Sequence, residues 1–443
     1  MSDFLIRRIL RTNRHERAEA SARHGASARH GLTLVELLVV IGILSLLAAL
    51  TLPNVRDVIR EQKFTRTAGI IQSYVAGAQA KAIGEGRRYG VVIERASADS
   101  AIGRAHSVRL SYAYGPPLYT GDVAGARAVV TNLGNLAFDP AESPTLLAAR
   151  DQVAQNMPNP VMGPGDTIGI GLVPFYFEVT GLIPLTGQNL GSFGMPANPG
   201  QWTVAVFTGP VRAQILAQYT AGTQLPFRIV RKPTPSMTAP LELPEGTAID
   251  LVYSGIGLFG DDFSPLAIEN RRRDATNTPI TNRYGVLPYN PGATLPFADG
   301  FVDYESITIM FDSQGTVNEI RFGNPSTAGV TDQVVVSGGF PASNIYLLLG
   351  KSDGVYPDAP FFVTNKDRAN IADFESAWVV INRQTGQVAV SPISSFAVDA
   401  AGNILNPQTG LVVAAATDTL QNRVQAAIAL TRSEAAAYSA VGL

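Results

Sequence analysis

The stretch that decides the fold is RHGLTLVELLVVIGILSLLAALTLP, residues 29–53. Within it, Leu32–Leu52 is an apolar run of 21 residues with one charged side chain, that of Glu36. At about 1.5 Å per residue, a helix of this length is roughly 30 Å long, which equals the hydrocarbon thickness of a bilayer. We therefore predict a membrane-spanning helix over residues 32–52.

The segment before the apolar run is basic. Residues 1–31 hold seven arginines and three acidic residues, a balance of +4 in a chain whose net charge is −2. The positive-inside rule then predicts a single-pass protein with residues 1–31 in the cytoplasm and everything after Pro53 across the membrane. The apolar run is longer than that of a secretory signal peptide and continues into a helical pattern, so we expect it to be retained.

Glu36 is the residue of this run that a bilayer disfavours, because a carboxylate within a spanning helix costs about 2.5–3.5 kcal/mol on insertion scales. Two interpretations account for it. It lies near the interface, where the partial positive charge of the helix N-terminus offsets part of the cost, or it pairs with a cation from a partner. Taken alone, Glu36 does not decide between them.

Glycine, threonine, glutamate and proline in this register resemble the class III signal of type IV pilins and type II secretion pseudopilins. The resemblance implies that a prepilin peptidase cleaves after Gly31 and methylates the new N-terminal Leu32, so that residues 1–31 are a cleaved cytoplasmic leader. Glu36 falls at the fifth mature position and Pro53 at the twenty-second, where the family has its glutamate and often a proline. Two features depart from the family: Leu32 replaces the usual phenylalanine, and the leader is long.

The resemblance also implies how the subunit assembles. Cleavage creates a cationic α-amino group at Leu32, and Glu36 of one subunit can meet the amine of a neighbour when helices stack with an axial offset. Pro53 removes a backbone donor and is expected to kink or loosen the helix where it leaves the membrane. The resemblance implies a location in the inner (cytoplasmic) membrane, with a periplasmic or extracellular head. The implied partners are prepilin peptidase, other pilins or pseudopilins, the assembly platform and membrane lipid.

Beyond Pro53, apolar residues recur in steps of four and three, the spacing of one helix face. Residues 53–85 are therefore predicted to be an amphipathic stalk helix. The stripe fits a two-helix coiled coil or packing on the strands that follow, and we favour the second because it stops at strand-like sequence. Its members are Phe64, Ala68, Ile71, Val75, Ala78 and Ala82.

From Tyr89 onward, strand-like runs alternate with clusters of Gly, Pro and Asn. We predict a β-rich head over residues 86–415, enlarged by an insertion at about residues 96–299. The predicted fold class is α+β: a long N-terminal transmembrane and stalk helix packed on a mostly antiparallel, pilin-like β head. Two short helices are predicted within the head, at Pro144–Met157 and Pro210–Tyr219.

Residues 416–443 are predicted to form an alanine-rich C-terminal helix or tail. Its sequence leaves packing on the head and a free tail equally open. One helical face would carry Leu420, Val424, Ala427 and Ile428.

Three local patterns resemble the H-type minor pseudopilins and their relatives in type IV pilus systems. They are AGAQAKAIGEGRRYGVVIE, where the helix would end and the first strand begin, and two hairpins, ITIMFDSQGTVNEIRF and WVVINRQTGQVAV. The hairpin turns are predicted at residues 312–315 and at Thr385–Gly386. Each pattern alone is a general turn signal, and it is their order along the chain that carries the resemblance.

Few other residues are candidates for catalysis or metal binding. The chain has no cysteine, and three of its four histidines lie in the leader, which leaves only His106, predicted at the surface or at a strand end. Asp261–Asp262 and Asp399–Asn403 can be read as calcium loops, but they lack the spaced oxygen ligands of an EF-hand, so we favour solvated turns. The basic run Arg271–Arg273 is interpreted as a solvated loop. We predict no catalytic residue, no metal site and no cofactor.

A chain with this anchor can belong to one of three classes of function: a filament subunit, a membrane-anchored adhesin or binding protein, or a membrane-anchored enzyme. The sequence favours the first, a minor pseudopilin-like subunit of a type II secretion or type IV pilus filament. A membrane-anchored adhesin or binding protein with a pilin-type anchor is the alternative. No catalytic constellation supports an enzyme, and the charge balance does not suit a nucleic-acid binder.

Overall fold

A computed structural model of the chain describes residues 34–97, 100–155, 162–171, 176–207, 209–265, 306–322, 341, 343–356, 369–418 and 420–441. Within its helices, the side chains of residues 36, 48–61, 101, 420–421 and 438–441 are not part of that description. The chain divides into two compact units, Met1–Arg60 and Glu61–Leu443.

The first described element is a helix, α1, which runs Leu34–Glu85. Gly86 follows it with a φ of 63°, a left-handed conformation that glycine adopts without steric cost and that commonly ends helices. Pro53 lies inside α1, and the predicted kink there stays a prediction. The predicted role of α1 as a stalk also stays a prediction.

The apolar stripe on α1 packs on strands, as the sequence predicts. All six stripe residues are buried, none with more than 6% of its surface exposed. They belong to one core with apolar residues of two antiparallel sheets. The stripe therefore forms part of the core of the second unit.

The first of these sheets has six strands, all antiparallel to their neighbours. The strands are β1 (Tyr89–Glu94), β3 (Arg109–Tyr114), β11 (Thr234–Pro235), β12 (Leu241–Glu242), β14 (Ile307–Phe311) and β15 (Val317–Arg321). Their order is β11-β3-β1-β14-β15, and β12 also pairs with β3. Hydrophobic residues of β1, β14 and β15 face α1 in the shared core.

The second sheet has five strands in the order β18-β17-β16-β13-β2. These are β2 (His106–Ser107), β13 (Thr247–Ile256), β16 (Ile345–Lys351), β17 (Ala377–Ile381) and β18 (Val388–Pro392). A short helix, α2 (Ala101–Ala105), precedes β2. His106 begins β2, so its predicted position at a strand end is confirmed.

The C-terminal residues pack on the second sheet. Helices α5 (Leu420–Thr431) and α6 (Ser433–Val441) meet at Arg432, which is fully buried. Its guanidinium lies over the rings of Trp378 and Tyr346, with centroid distances of 4.6 and 4.7 Å, and burial lowers its pKa to about 9. Of the two alternatives left open by the sequence, packing on the head is the one observed.

A third, seven-stranded sheet lies within the predicted insertion, in the order β7-β6-β10-β4-β5-β9-β8. Its strands are β4 (Arg127–Val130), β5 (Leu136–Phe138), β6 (Thr167–Ile170), β7 (Tyr176–Glu178), β8 (Gly181–Pro184), β9 (Thr203–Val206) and β10 (Gln224–Val230). The predicted short helices are confirmed as α3 (Pro144–Ala154) and α4 (Gly209–Gln218).

The two edge strands of this sheet are consecutive in the chain, and the residues between them continue the pairing. Val179 donates its N–H to the carbonyl oxygen of Asp166 beside β6, and Thr180 donates its N–H to that of Val206 in β9. The sheet therefore closes on itself around its own apolar core, and we call β4–β10 the closed sheet. Strands β2, β3 and β11–β13, although within the predicted 96–299 insertion, pair in the other two sheets.

A small fourth sheet follows β18. It has three strands, β19 (Ala397–Val398), β20 (Ile404–Leu405) and β21 (Val412–Ala414), in that order. Helix α5 packs against it through the core shared with the second sheet.

Both predicted hairpins form, and their turns meet at one helical side chain. The turn after β14 contains Asp312, whose carboxylate accepts the N–H groups of Gln314 and Thr316. The turn after β17 contains Gly386 with a φ of 67°. The Nε2 of Gln79 on α1 donates to the carbonyl oxygens of Gly315 (2.8 Å) and Thr385 (2.6 Å), so one amide fastens both turns to the helix.

We expect Gly386→Ala to destabilise the head more than the matched Gly410→Ala. The two glycines occupy equivalent turns, with φ values of 67° and 69°, and each donates its N–H over 2.8 Å to an asparagine carbonyl oxygen. At Gly410 a Cβ meets nothing within 4 Å, whereas at Gly386 it would overlap the Gly315 carbonyl oxygen.

In both variants, alanine in the left-handed conformation destabilises the fold by about 1–2 kcal/mol. Gly386→Ala adds a destabilisation of about 1–3 kcal/mol from overpacking. Denaturant unfolding of the two purified variants measures the difference in the free energy of unfolding. Equal losses in the free energy of unfolding for the two variants would show that the two turns are not in tight contact at Gly386.

Candidate processing and assembly site

The residues predicted for processing and assembly fall at or before the start of the described chain. Gly31 and Leu32 lie outside the described residues. Glu36 and Pro53 belong to α1 by their backbone, but their side chains are outside the description. The cleavage, methylation and assembly roles of these residues therefore stay predictions.

The start of α1 carries an apolar surface that runs all the way around the helix. Every large apolar side chain described from Leu34 to Leu47 is exposed, by between 43% at Val40 and 76% at Leu34. Exposed positions include consecutive residues such as Leu37–Ile41, which point in all directions around a helix with 3.6 residues per turn. A contiguous apolar surface of this kind marks a site of interaction with lipid or protein.

Over the residues that the structure describes, no helix contains a segment both long and apolar enough to cross a membrane. The predicted span of residues 32–52 extends beyond that description, at residues 32–33 and at the side chains of residues 36 and 48–52. It stays a prediction.

The C-terminal part of α1 has a different character, because it is fastened to the head by polar contacts as well as by its buried stripe. The ammonium group of Lys63 donates a hydrogen bond to the carbonyl oxygen of Glu245. Gln72 donates its Nε2 to the carbonyl oxygen of Val388, at 2.8 Å. Together with Gln79, these side chains bond to three separate chain segments of the head.

The two aspartate turns differ from each other. Asp399 is half-buried, and its carboxylate accepts from the backbone and side-chain nitrogens of Asn403, which lowers its pKa. Asp261, by contrast, is 5% exposed, so the prediction of a solvated turn is wrong for this residue. The carboxylate of its neighbour Asp262 accepts the N–H of Ile256 and so closes the end of β13.

No group of His, Cys, Asp or Glu side chains in the described part of the chain could hold a metal ion. The basic run Arg271–Arg273 lies outside the described residues, and its interpretation as a solvated loop stays a prediction.

Among the carboxyl groups of the head that the structure describes, that of Asp250, on β13, has the largest pKa shift. It is completely buried, and burial raises its pKa to about 7, although hydrogen bonds from Asn370 (3.0 Å) and from the N–H of Val252 (2.9 Å) act in the opposite direction. Sequence inspection missed this residue, because Asp250 stands between apolar neighbours without a motif around it.

We expect Asp250 to make the head less stable as pH rises from about 4 to about 7. The folded state keeps the proton to about pH 7, whereas the unfolded state, with the ordinary value of 3.8, releases it earlier. Asp250 therefore contributes fully to the free energy of unfolding below about pH 4. That contribution falls by about 1.4 kcal/mol per pH unit between about pH 4 and about pH 7.

Denaturant unfolding between pH 4 and pH 8 tests this expectation. Asp250→Asn should flatten the profile, and Asp353→Asn, a change at an exposed carboxylate, is the control. Parallel profiles for wild type and Asp250→Asn would contradict it.

Sequence inspection also missed a buried ionic cluster formed by Arg88, Glu319 and Arg321. Arg88 donates its Nη1 to Glu319 at 2.7 Å, and Arg321 donates its Nε to the other oxygen of the same carboxylate. The side chains of Glu319 and Arg321 are 5% and 4% exposed. Glu319 and Arg321 alternate with Ile320 on one strand, and a charged residue on either side of an apolar one gives no signal that distinguishes a buried carboxylate from a solvated one.

Comparison with known proteins bears on the N-terminal segment. Residues 26–52 match the family model of the prokaryotic N-terminal methylation motif. No curated protein and no solved structure matches the chain. The motif indicates a membrane-anchored, type IV pilin-like or pseudopilin subunit that is processed as a prepilin, and proteins of this class are structural subunits rather than enzymes.

Proposed function

We propose that the chain is a minor pseudopilin-like structural subunit of a type II secretion or type IV pilus filament, assembled through its N-terminal helix. The observation that carries the proposal is the match over residues 26–52, the range in which Gly31, Leu32 and Glu36 lie. In this proposal, prepilin peptidase cleaves after Gly31 and methylates Leu32, and Glu36 pairs with the amine of a neighbouring subunit.

The exposed apolar surface at the start of α1 supports assembly through this helix. Before assembly, residues 32–52 cross the inner membrane with the leader in the cytoplasm and the head in the periplasm or outside the cell. After assembly, helices of neighbouring subunits replace lipid around the same side chains. Both environments are apolar, so one sequence serves both states without a change of fold.

The head supports a structural role through the way it holds α1. The stripe from Phe64 to Ala82 lies in the same core as two sheets, and Gln79 fastens both predicted hairpins to the helix. Such packing suits a subunit whose head is attached through α1. The order of these hairpins is also the basis on which we propose the H-type minor pseudopilins as the subtype.

Site-specific crosslinking in living cells tests the assignment. A photoreactive residue at Leu38 or Leu44, both exposed on α1, should form adducts with pilin-type subunits of the host filament. The same residue at Met237, exposed on the head, is the control for random collision. A chain that is processed normally but gives adducts at neither helix position would contradict a filament subunit and favour the membrane-anchored adhesin.

A further inference from the structure

The closed sheet is joined to the rest of the head by two chain segments that run side by side. The entering segment meets the end of β10 in an antiparallel bridge between Tyr119 and Ile229, with N–H to carbonyl distances of 3.0 and 2.8 Å. Outside this bridge, residues 116–118 and 231–233 connect the closed sheet to the first sheet, and we call them the neck. A connection of two adjacent segments can bend or twist unless other contacts prevent it.

Arg88 lies at the base of the neck and contacts both of its segments. Its Nη2 is 3.4 Å from the carbonyl oxygen of Pro116 and 3.4 Å from that of Arg231. Its Nη1 donates to Glu319 on β15, the edge strand of the first sheet. One guanidinium therefore links the two segments of the neck to the head.

A second contact joins the same edge strand directly to the closed sheet. Arg321 donates its Nη1 to the carbonyl oxygen of Gly165 at 2.6 Å, just before β6. The next residue, Asp166, accepts the backbone N–H of Lys232, in the neck, at 2.6 Å. Arg321 of β15 therefore contacts the closed sheet beside Asp166, and Asp166 in turn bonds to the neck.

One carboxylate bonds to both arginines of this arrangement. Glu319 accepts from both Arg88 and Arg321, and all three side chains are at most 15% exposed. Without the negative charge of Glu319, two buried guanidinium groups would face each other, an arrangement that burial and like-charge repulsion both disfavour.

We propose that Arg88, Glu319 and Arg321 form a latch that holds the closed sheet in one orientation against β15, and that opening the latch frees the closed sheet to turn about the neck. The closed sheet would then be a movable module of the head, separate in function from the helix that anchors it. The latch determines which surface of the module faces a partner.

The lack of cysteine makes a direct test possible, because spin labels can be placed without removing native thiols. Labels at Ile183→Cys in the closed sheet and Val390→Cys in β18, both exposed positions, report the distance between module and head in the detergent-solubilised full chain. We expect one narrow distance distribution in this background and a broad one after Glu319→Gln. An equally narrow distribution in both would overturn the proposal.

Hydrogen exchange at the neck distinguishes an open latch from general destabilisation. Glu319→Gln and Arg88→Lys, which keeps the charge but has a single nitrogen in place of the forked guanidinium, should speed exchange of the Lys232 amide, which donates to Asp166, by about tenfold or more. The amides of β5 and β16 should exchange as in wild type. Arg109→Ala, at an exposed ion pair with Glu242, is the control. Equal acceleration in all strands, or none at the neck, would refute a latch.

Discussion

Gly31→Val should leave nearly all of the protein as uncleaved precursor in the membrane. Valine is branched at Cβ, which restricts the backbone beside the scissile bond and fills space that glycine leaves empty. In the pilin-type signal, this glycine is the last residue of the leader. The apolar run is unchanged, so membrane insertion should be unaffected. The expected result is a loss of the processed form that approaches completeness.

The measurement is the ratio of precursor to mature chain in membranes from cells with an active prepilin peptidase. Gly25→Val makes the same change outside the matched range of residues 26–52 and should be processed like wild type. Normal cleavage of the Gly31→Val chain would mean that the peptidase acts elsewhere or not at all.

Glu36→Ala is expected to weaken entry into the filament strongly while leaving insertion and cleavage largely intact. Removing the carboxylate should ease insertion by about 2.5–3.5 kcal/mol, so a defect cannot come from the cost of crossing the membrane. The neighbour's Leu32 amine would instead remain unpaired among apolar helices. Breaking a buried pair on one side costs about 3–5 kcal/mol, enough to reduce assembly by more than a hundredfold.

Crosslinking to other subunits measures this effect, with the membrane level of the mature chain as the reference. Ser45→Ala, which removes a polar group from the same run, is the control and should assemble normally. If Glu36→Ala crosslinks as efficiently as wild type, the glutamate only caps its own helix and the pairing hypothesis fails.

The parts of the fold that the sequence predicted are those with local signals. The stripe from Phe64 to Ala82 follows the helical period, and every one of its residues is buried. The turns at Asp312 and Gly386 have residues that bond to their own backbone or adopt a positive φ, so a few neighbouring letters are enough to locate them.

The closed sheet and the latch could not be predicted in the same way. Several strands of the closed sheet have only three or four residues, too few for a clear alternation of apolar and polar positions. Arg88 and Glu319 are separated by 231 positions, and Arg321 and Gly165 by 156. Such pairs depend on the tertiary arrangement, which no local pattern encodes.

The buried carboxylates show the same limit. Asp250 and Asp261 have the side-chain chemistry of surface residues, and burial is imposed by the strands and helices that cover them. For the processing site the situation is reversed: Gly31, Leu32 and Glu36 could be predicted from sequence alone, because an enzyme that recognises a short segment must read local sequence.

Mass spectrometry of the mature N-terminus, on protein extracted from membranes, tests the central claim most directly. The account predicts a chain that begins at Leu32, carries one methyl group on its α-amine and lacks residues 1–31. In cells without prepilin peptidase the leader should remain. An intact leader in cells with active peptidase, or an unmethylated N-terminus at another residue, would contradict the account.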